Sequence, residues 1–291
     1  MNAGIIPART PAEILLAEAF NSSKGGLPGN TDVAKWRADS FEVFGASGLP
    51  HRRIEAWHYT DLRALMRDAL PLAMAPSPAT IDELRKELAA AGAPARRLVL
   101  VDGYFVPELS SGLPQGINVR SLASVLNEGR PDLIALLSSQ DLAGQDSIVS
   151  LNAALMQDGV VIEVAPSTVI AEPVNLIHVT ASPVPTAHFS RSALIVGTGA
   201  SVRLAESMHV GNRAGAGRAG QANACLIVSL DNGAKLAHTS VVTGTAPGAV
   251  RLESVMVRVG ARAKFSSFAL VAGIGLVRRQ MFVRFDGAES E

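Results

Sequence analysis

From about Val160 onward the chain is a succession of short aliphatic runs with no helix-length amphipathic segment between them. The runs cover 160–164, 175–179, 193–196, 202–206, 224–230, 236–242, 253–259, 265–271 and 277–285, punctuated by Gly, Asn, Asp or Pro. Each reads as a strand. A doubly wound sheet needs crossover helices, so that architecture is excluded and a mainly β second half is expected.

A repeat runs through these strands. Gly199-Ala200-Ser201-Val202, Gly233-Ala234-Lys235-Leu236 and Gly260-Ala261-Arg262-Ala263 each follow an apolar run and continue with side chains alternating out and in. Their spacings, 233 − 199 = 34 and 260 − 233 = 27, suit a solenoid, with one coil per repeat and glycine at the corner. A β-sandwich with shared Gly-Ala turns is the competing arrangement, but it would carry more two-residue hairpin turns. Aromatic residues make up 4% against 48% hydrophobic, so the core must be layers of Ala, Val, Leu and Ile.

The first half reads differently. Thr10-Pro11-Ala12-Glu13 has the hydroxyl, proline and glutamate of a helix start, and that helix should run to about Asn21. Thr31 caps a second helix bearing Trp36, Phe41 and Phe44 near one face, stopped by Gly48-Leu49-Pro50. Thr80-Ile81-Asp82-Glu83 starts another, to Ala91, and 98–106 is a hairpin around Asp102-Gly103. Short helices follow near 122–127 and 131–138.

Charge and cysteine content narrow the function classes. Lys plus Arg and Asp plus Glu are both 26, so no net field draws the whole chain to nucleic acid or an anionic membrane, and a protein partner is expected. The one cysteine, Cys225, excludes an internal disulfide and a self-contained iron-sulfur cluster, which takes about four thiolates. Met1 to Pro7 lacks the basic lead-in and apolar run of a secretory signal. No segment reaches the ~18 apolar residues of a membrane span, and a cytoplasmic location is expected.

No catalytic constellation or metal-ligand set emerges, and no cofactor-binding residue can be named. Gly215-Ala216-Gly217-Arg218-Ala219-Gly220 matches a nucleotide fingerprint literally, but a strand follows it and Asp231 comes too soon, so it reads as a flexible loop. Glu206 and His209 fall on opposite strand faces. His51, His58, His178, His188 and His238 are scattered, and Cys225 reads as a small buried hydrophobe. Asn21-Ser22-Ser23 matches a glycosylation acceptor without a route to be used.

The densest stretch is Gly48-Leu49-Pro50-His51-Arg52-Arg53-Ile54-Glu55-Ala56-Trp57-His58-Tyr59-Thr60-Asp61-Leu62. It resembles the N-terminal signature of the SufB/SufD family of iron-sulfur cluster assembly proteins, with His58 in place of the usual Lys. The resemblance continues through Val101-Asp102-Gly103-Tyr104-Phe105, Leu151-Asn152-Ala153-Ala154, Asp158-Gly159, 188–191, 206–211 and 268–279, and is closer to SufD than to the more cysteine-rich SufB.

The resemblance implies a right-handed parallel β-helix preceded by an α-helical to α+β N-terminal domain, divided as 1–145 and 146–291. It implies a non-catalytic scaffold of the SufBCD complex, pairing with a SufB-like scaffold through the β-helix and driven by a SufC-like ABC ATPase. No cofactor is then held by this chain alone, and an iron-sulfur cluster resides transiently on the assembled complex. Family members extend further, so the β-helix is expected to be incomplete at its C-terminal end, with ATPase docking beyond residue 291. The competing readings are a solenoid carbohydrate-active enzyme and an interaction module unrelated to clusters. The first needs acids clustered on successive coils, and Glu163, Glu172, Glu206, Asp231, Glu253 and Asp286 do not share one repeat phase.

Overall fold

The computed structural model describes residues 9–138, 143–273 and 275–291; Met1 to Pro7 lies outside them. Helices α1 (Pro11–Ser23), α2 (Thr31–Ser47), α3 (Leu62–Leu65) and α4 (Pro78–Ala90) come first. Strands β1 (Arg97–Val101), β2 (Tyr104–Phe105) and β3 (Ile117–Ser121) follow, then α5 (Leu122–Glu128), α6 (Pro131–Ser138) and α7 (Ser147–Leu155). The rest is β4 (Val160–Val164), β5 (Val174–Thr180), β6 (Ala187–Val196), β7 (Ser201–Val210), β8 (Gln221–Leu230), β9 (Lys235–Thr245), β10 (Val250–Val259), β11 (Lys264–Gly273) and β12 (Leu276–Phe285).

These strands wind alternately into two six-stranded sheets, ordered β12-β10-β8-β6-β4-β3 and β11-β9-β7-β5-β1-β2. Neighbours from β4 onward are parallel, and the chain makes a β-solenoid of about four turns behind a helical region. The interior is a layered aliphatic core, including Leu176, Leu194, Leu204, Leu226, Val228 and Val257. The hairpin at Asp102-Gly103 forms as expected, but β1 also joins β5 in parallel, and β3 joins β4. The first half therefore supplies strands to both sheets.

Ladder register corrects the repeat. Ser201 pairs with Lys235 and Lys235 with Lys264, so Gly199 and Gly233 align with Arg262, not with Gly260. The equivalent alanines are Ala200, Ala234 and Ala263, all fully buried. A two-residue offset preserves strand parity, which is why the third copy still alternated correctly.

Helix starts follow cap chemistry. The Thr10–Glu13 capping box is made, whereas α2 is capped by Asn30 and α4 by Ser77, so Thr80 is an interior residue. Phe41 stacks on Phe20 at 4.2 Å and Phe44 is buried beside them, but Trp36 packs in a separate layer with Leu122, Leu126 and Leu137. Helix α7 was not legible, because all nine of its residues are buried and no polar stripe marks a period. Its Asn152 donates to the carbonyls of Ser190 and Asn223 and accepts from Arg191, fastening the helix to β6 and β8. Among the described residues, no helix is long and apolar enough to cross a membrane.

Candidate functional site in the solenoid lumen

Two features stand out: a polar network inside the coils and a strap across them. On β7, Glu206 faces inward. It accepts from Nε2 of His178 on β5 and from Nε2 of His238 on β9, each at 2.8 Å. A carboxylate only accepts, so both imidazoles carry a proton on Nε2, and Nδ1 of His238 lies 3.2 Å from the Ser267 hydroxyl, within hydrogen-bond distance. Burial alone would raise the Glu206 carboxyl, but the two histidine bonds outweigh it and hold it well below the usual range.

Facing it on β10, Glu253 accepts from Nε of Arg251 at 2.6 Å and from Nη1 of Arg279 at 2.8 Å. Burial opposes its ionisation, and the paired arginines still keep its carboxyl below the ordinary value. His188 borders the same lumen. Burial, with Arg251 and His178 nearby, pushes it down to about 3, so it is neutral at pH 7.

Linear sequence did not bring these residues together. His178 lies 28 residues before Glu206 and His238 lies 32 after it, which are coil lengths and not helix or strand periods. That spacing on the inward phase was the available signal. Glu206 and Glu253 come from facing sheets, so a search along one repeat phase missed their meeting. Ser267, His238 and Glu206 stand in the order hydroxyl, imidazole, carboxylate, but the His238 ring is fully buried and Glu206 is shared with a second histidine.

The other singled-out residues separate. His209 faces outward, 3.8 Å from Glu87 of α4. Cys225 lies with Ala193, Ile227 and Met256 in the apolar layer under the helices, where burial raises its thiol. His51 and His58 lie in the strap, and Ser22 and Ser23 bond back to α1 carbonyls. The glycine-rich segment is a single helical turn, Gly215–Ala219, followed by β8. Among the described residues, no three His, Cys, Asp or Glu side chains converge as metal ligands.

Residues 49–73 form the strap. Leu49, Trp57, Leu62 and Met66 pack against Ala187, Phe189, Val250 and Leu252 at the starts of β6 and β10. The Ala73 amide donates to the Ala187 carbonyl on β6, the Ala187 amide donates back to the Pro71 carbonyl, and Gln221 on β8 bonds Asp68 and Leu70. On β12, Arg278 sits 4.9 Å from the Trp57 ring centre and donates to the Ala56 carbonyl. The strap, which begins with the signature stretch, thus crosses β6, β8, β10 and β12. Its entry is set by Gly48, whose φ of +67° and close approach to Glu13 leave no room for a Cβ. Tyr59 remains 96% exposed.

The sequence agrees with known families over nearly its whole length. Residues 29–176 match the SufBD protein N-terminal region, and 178–291 match the SUF system FeS cluster assembly SufBD core domain. An iron-sulfur cluster assembly SufBD family protein of Synechocystis sp. (strain ATCC 27184 / PCC 6803 / Kazusa) is 30% identical over 174 residues, 59% of this chain and 38% of that relative. The match therefore spans well under half of the relative's length. A β-solenoid behind a helical region, strapped by the signature stretch and matching both regions in order, places this chain in the SufB/SufD family of SUF-system iron-sulfur cluster assembly proteins.

Proposed function

We propose that the chain is a scaffold subunit of the SufD type, pairing with a SufB-like partner through its solenoid and working with a SufC-like ABC ATPase in the cytoplasm. Family membership carries the assembly role. The pairing rests on the last coil, where Phe268 is 62% exposed and Phe285 59%, with Leu270, Val271, Met281 and Val283 also exposed. Strands β11 and β12 are edges of their sheets, and although the Phe265 amide bonds the Glu291 carbonyl, an apolar end face coincides with edges open to pairing among the described residues. The single buried Cys225 favours SufD over SufB, since a cluster's ligands would then come largely from the partner and the cluster would reside on the complex only transiently.

The test is affinity capture from lysate of the source organism, using this chain and a C-terminally extended form, with bound proteins identified by mass spectrometry. Retention of a SufB-like scaffold and an ABC-type ATPase is expected. Loss of the ATPase alone from the shorter form would place its docking beyond residue 291, and failure of both forms to retain either partner would overturn the reading.

A further inference from the structure

Where the turns joining β5 to β6, β7 to β8 and β9 to β10 stack, the lumen opens into a cavity of about 50 Å³. One water needs ~10–15 Å³, so the cavity seats about four water-sized oxygens, the number a tetrahedral oxyanion carries. Arg251 on its wall is 4% exposed, and its guanidinium engages only Glu253, through Nε. Among the described residues, Nη1 and Nη2 have no protein partner. Both nitrogens open onto the cavity, where water or an anion can accept from them. Arg251 and Arg279 share the Glu253 carboxylate and the ionised Glu206 faces them, so these four groups sum to zero, and an anion would be held by the directed donors of Arg251 and by the added charge of Arg218.

The rest of the wall also suits an anion. Thr180 and Thr186 supply hydroxyls, and His188, kept neutral there, offers one donor. Asp102 borders the cavity too, but its oxygens already accept from the Ala181 and Ser182 amides at 3.0 and 2.9 Å. At the mouth, the Gly215–Ala219 turn carries exposed Arg218. A Cβ on Gly217 would lie 1.8 Å from the Ser182 carbonyl oxygen, so only glycine lets this turn seat so closely on the corner after β5 and hold Arg218 at the rim.

We propose that this cavity binds a small inorganic oxyanion of phosphate or sulfate size, held by Nη1 and Nη2 of Arg251 inside and by Arg218 at the rim. Two parallel N–H donors match two oxygens of such an ion, a fit that a spherical halide does not exploit. The site is independent of the scaffold reading.

The full chain is titrated with sodium phosphate or sodium sulfate, at ionic strength held constant with sodium chloride, and followed by calorimetry and melting temperature. Saturable binding of at least one oxyanion is expected, and the arm that saturates identifies which. Arg218→Ala should weaken it about tenfold with an unchanged ligand-free melting temperature, because Arg218 is exposed. Arg251→Lys keeps the charge but loses the fork and should weaken binding at least as much. Should Arg251→Lys fail to fold, Arg218→Ala decides alone. Absence of saturation in both arms, an equal response to chloride, or undiminished affinity in Arg218→Ala would each overturn the proposal.

Discussion

Arg278 on the last strand lies over the ring of Trp57 at 4.9 Å, although more than two hundred residues separate them in sequence. The tryptophan is 2% exposed, so its ring is core to the strap and not a docking surface. Trp57→Ala is expected to cost roughly 3–5 kcal/mol. Arg278→Gln, which removes a partly exposed cation–π contact, should cost about 1 kcal/mol. Urea midpoints measure both, and a Trp57→Ala midpoint equal to the parent would remove Trp57 from the core.

Among the described residues, Glu206 is the acceptor shared by His178 and His238. Glu206→Gln presents an NH₂ to one of the two Nε2–H groups, leaving a buried donor facing a donor. A loss of roughly 1–3 kcal/mol is expected, the cost of a buried donor left without an acceptor. Chemical denaturation checks it; a loss below 1 kcal/mol would mean the network is not held as described.

Acid should destabilise the fold from the histidine side first. His188 is pushed down to about 3 in the folded state, so below pH ~6.5 the unfolded chain binds a proton that the folded chain does not. Its contribution is complete above that pH and is lost as pH falls toward 3, with a slope of up to about 1.4 kcal/mol per pH unit. Depressed Glu206 and Glu253 add loss in the same direction, below the normal glutamate value. Asp102 and Asp158, both raised by burial, act oppositely above the usual aspartate value. Between pH 5 and 6.5 the slope should therefore belong to His188, and His188→Gln should flatten it in a stability series across those pH values.

Arg262 occupies φ +57° at the corner where the aligned Gly199 and Gly233 have φ +68° and +71°. A side chain in that region costs about 1 kcal/mol or more, so Arg262→Gly should stabilise the chain by up to about 1 kcal/mol. The expected rise in melting temperature is about 2–4 °C. A fall would show that the arginine side chain holds the corner.

The strands were legible because β-branched runs between turn residues have few other structures available, and every run read from the sequence is a strand. Their ends were not. Residues 187–192 of β6 are mostly polar, and they join the strand because Ser190 and Ser192 face the lumen while Arg191 bonds the Leu137 carbonyl under the helices. Helix α7 escaped because burial on every side erases amphipathic periodicity. The lumen network escaped for a related reason: its members are one coil apart, and a coil's length varies with its turns, so no fixed spacing announces them. The signature stretch was recognisable as a motif, but its path across the coils depends on contacts with residues 187 to 278, which no local reading contains.

A stack of coils ordinarily behaves as a one-dimensional array that can fray from either end, each repeat leaning only on its neighbours. The strap changes that. It is synthesised early, yet its tryptophan completes its contacts only after residue 278 has left the ribosome, so much of its apolar face must wait while about two hundred residues emerge. Closing so long a loop is slow, but once closed it links β6, β8, β10 and β12, and the last coil cannot peel away without breaking the Arg278 contacts to Trp57 and Ala56. Coils that a solenoid would couple only to their neighbours are thereby coupled through one shared segment, while the extended edge of a solenoid is kept.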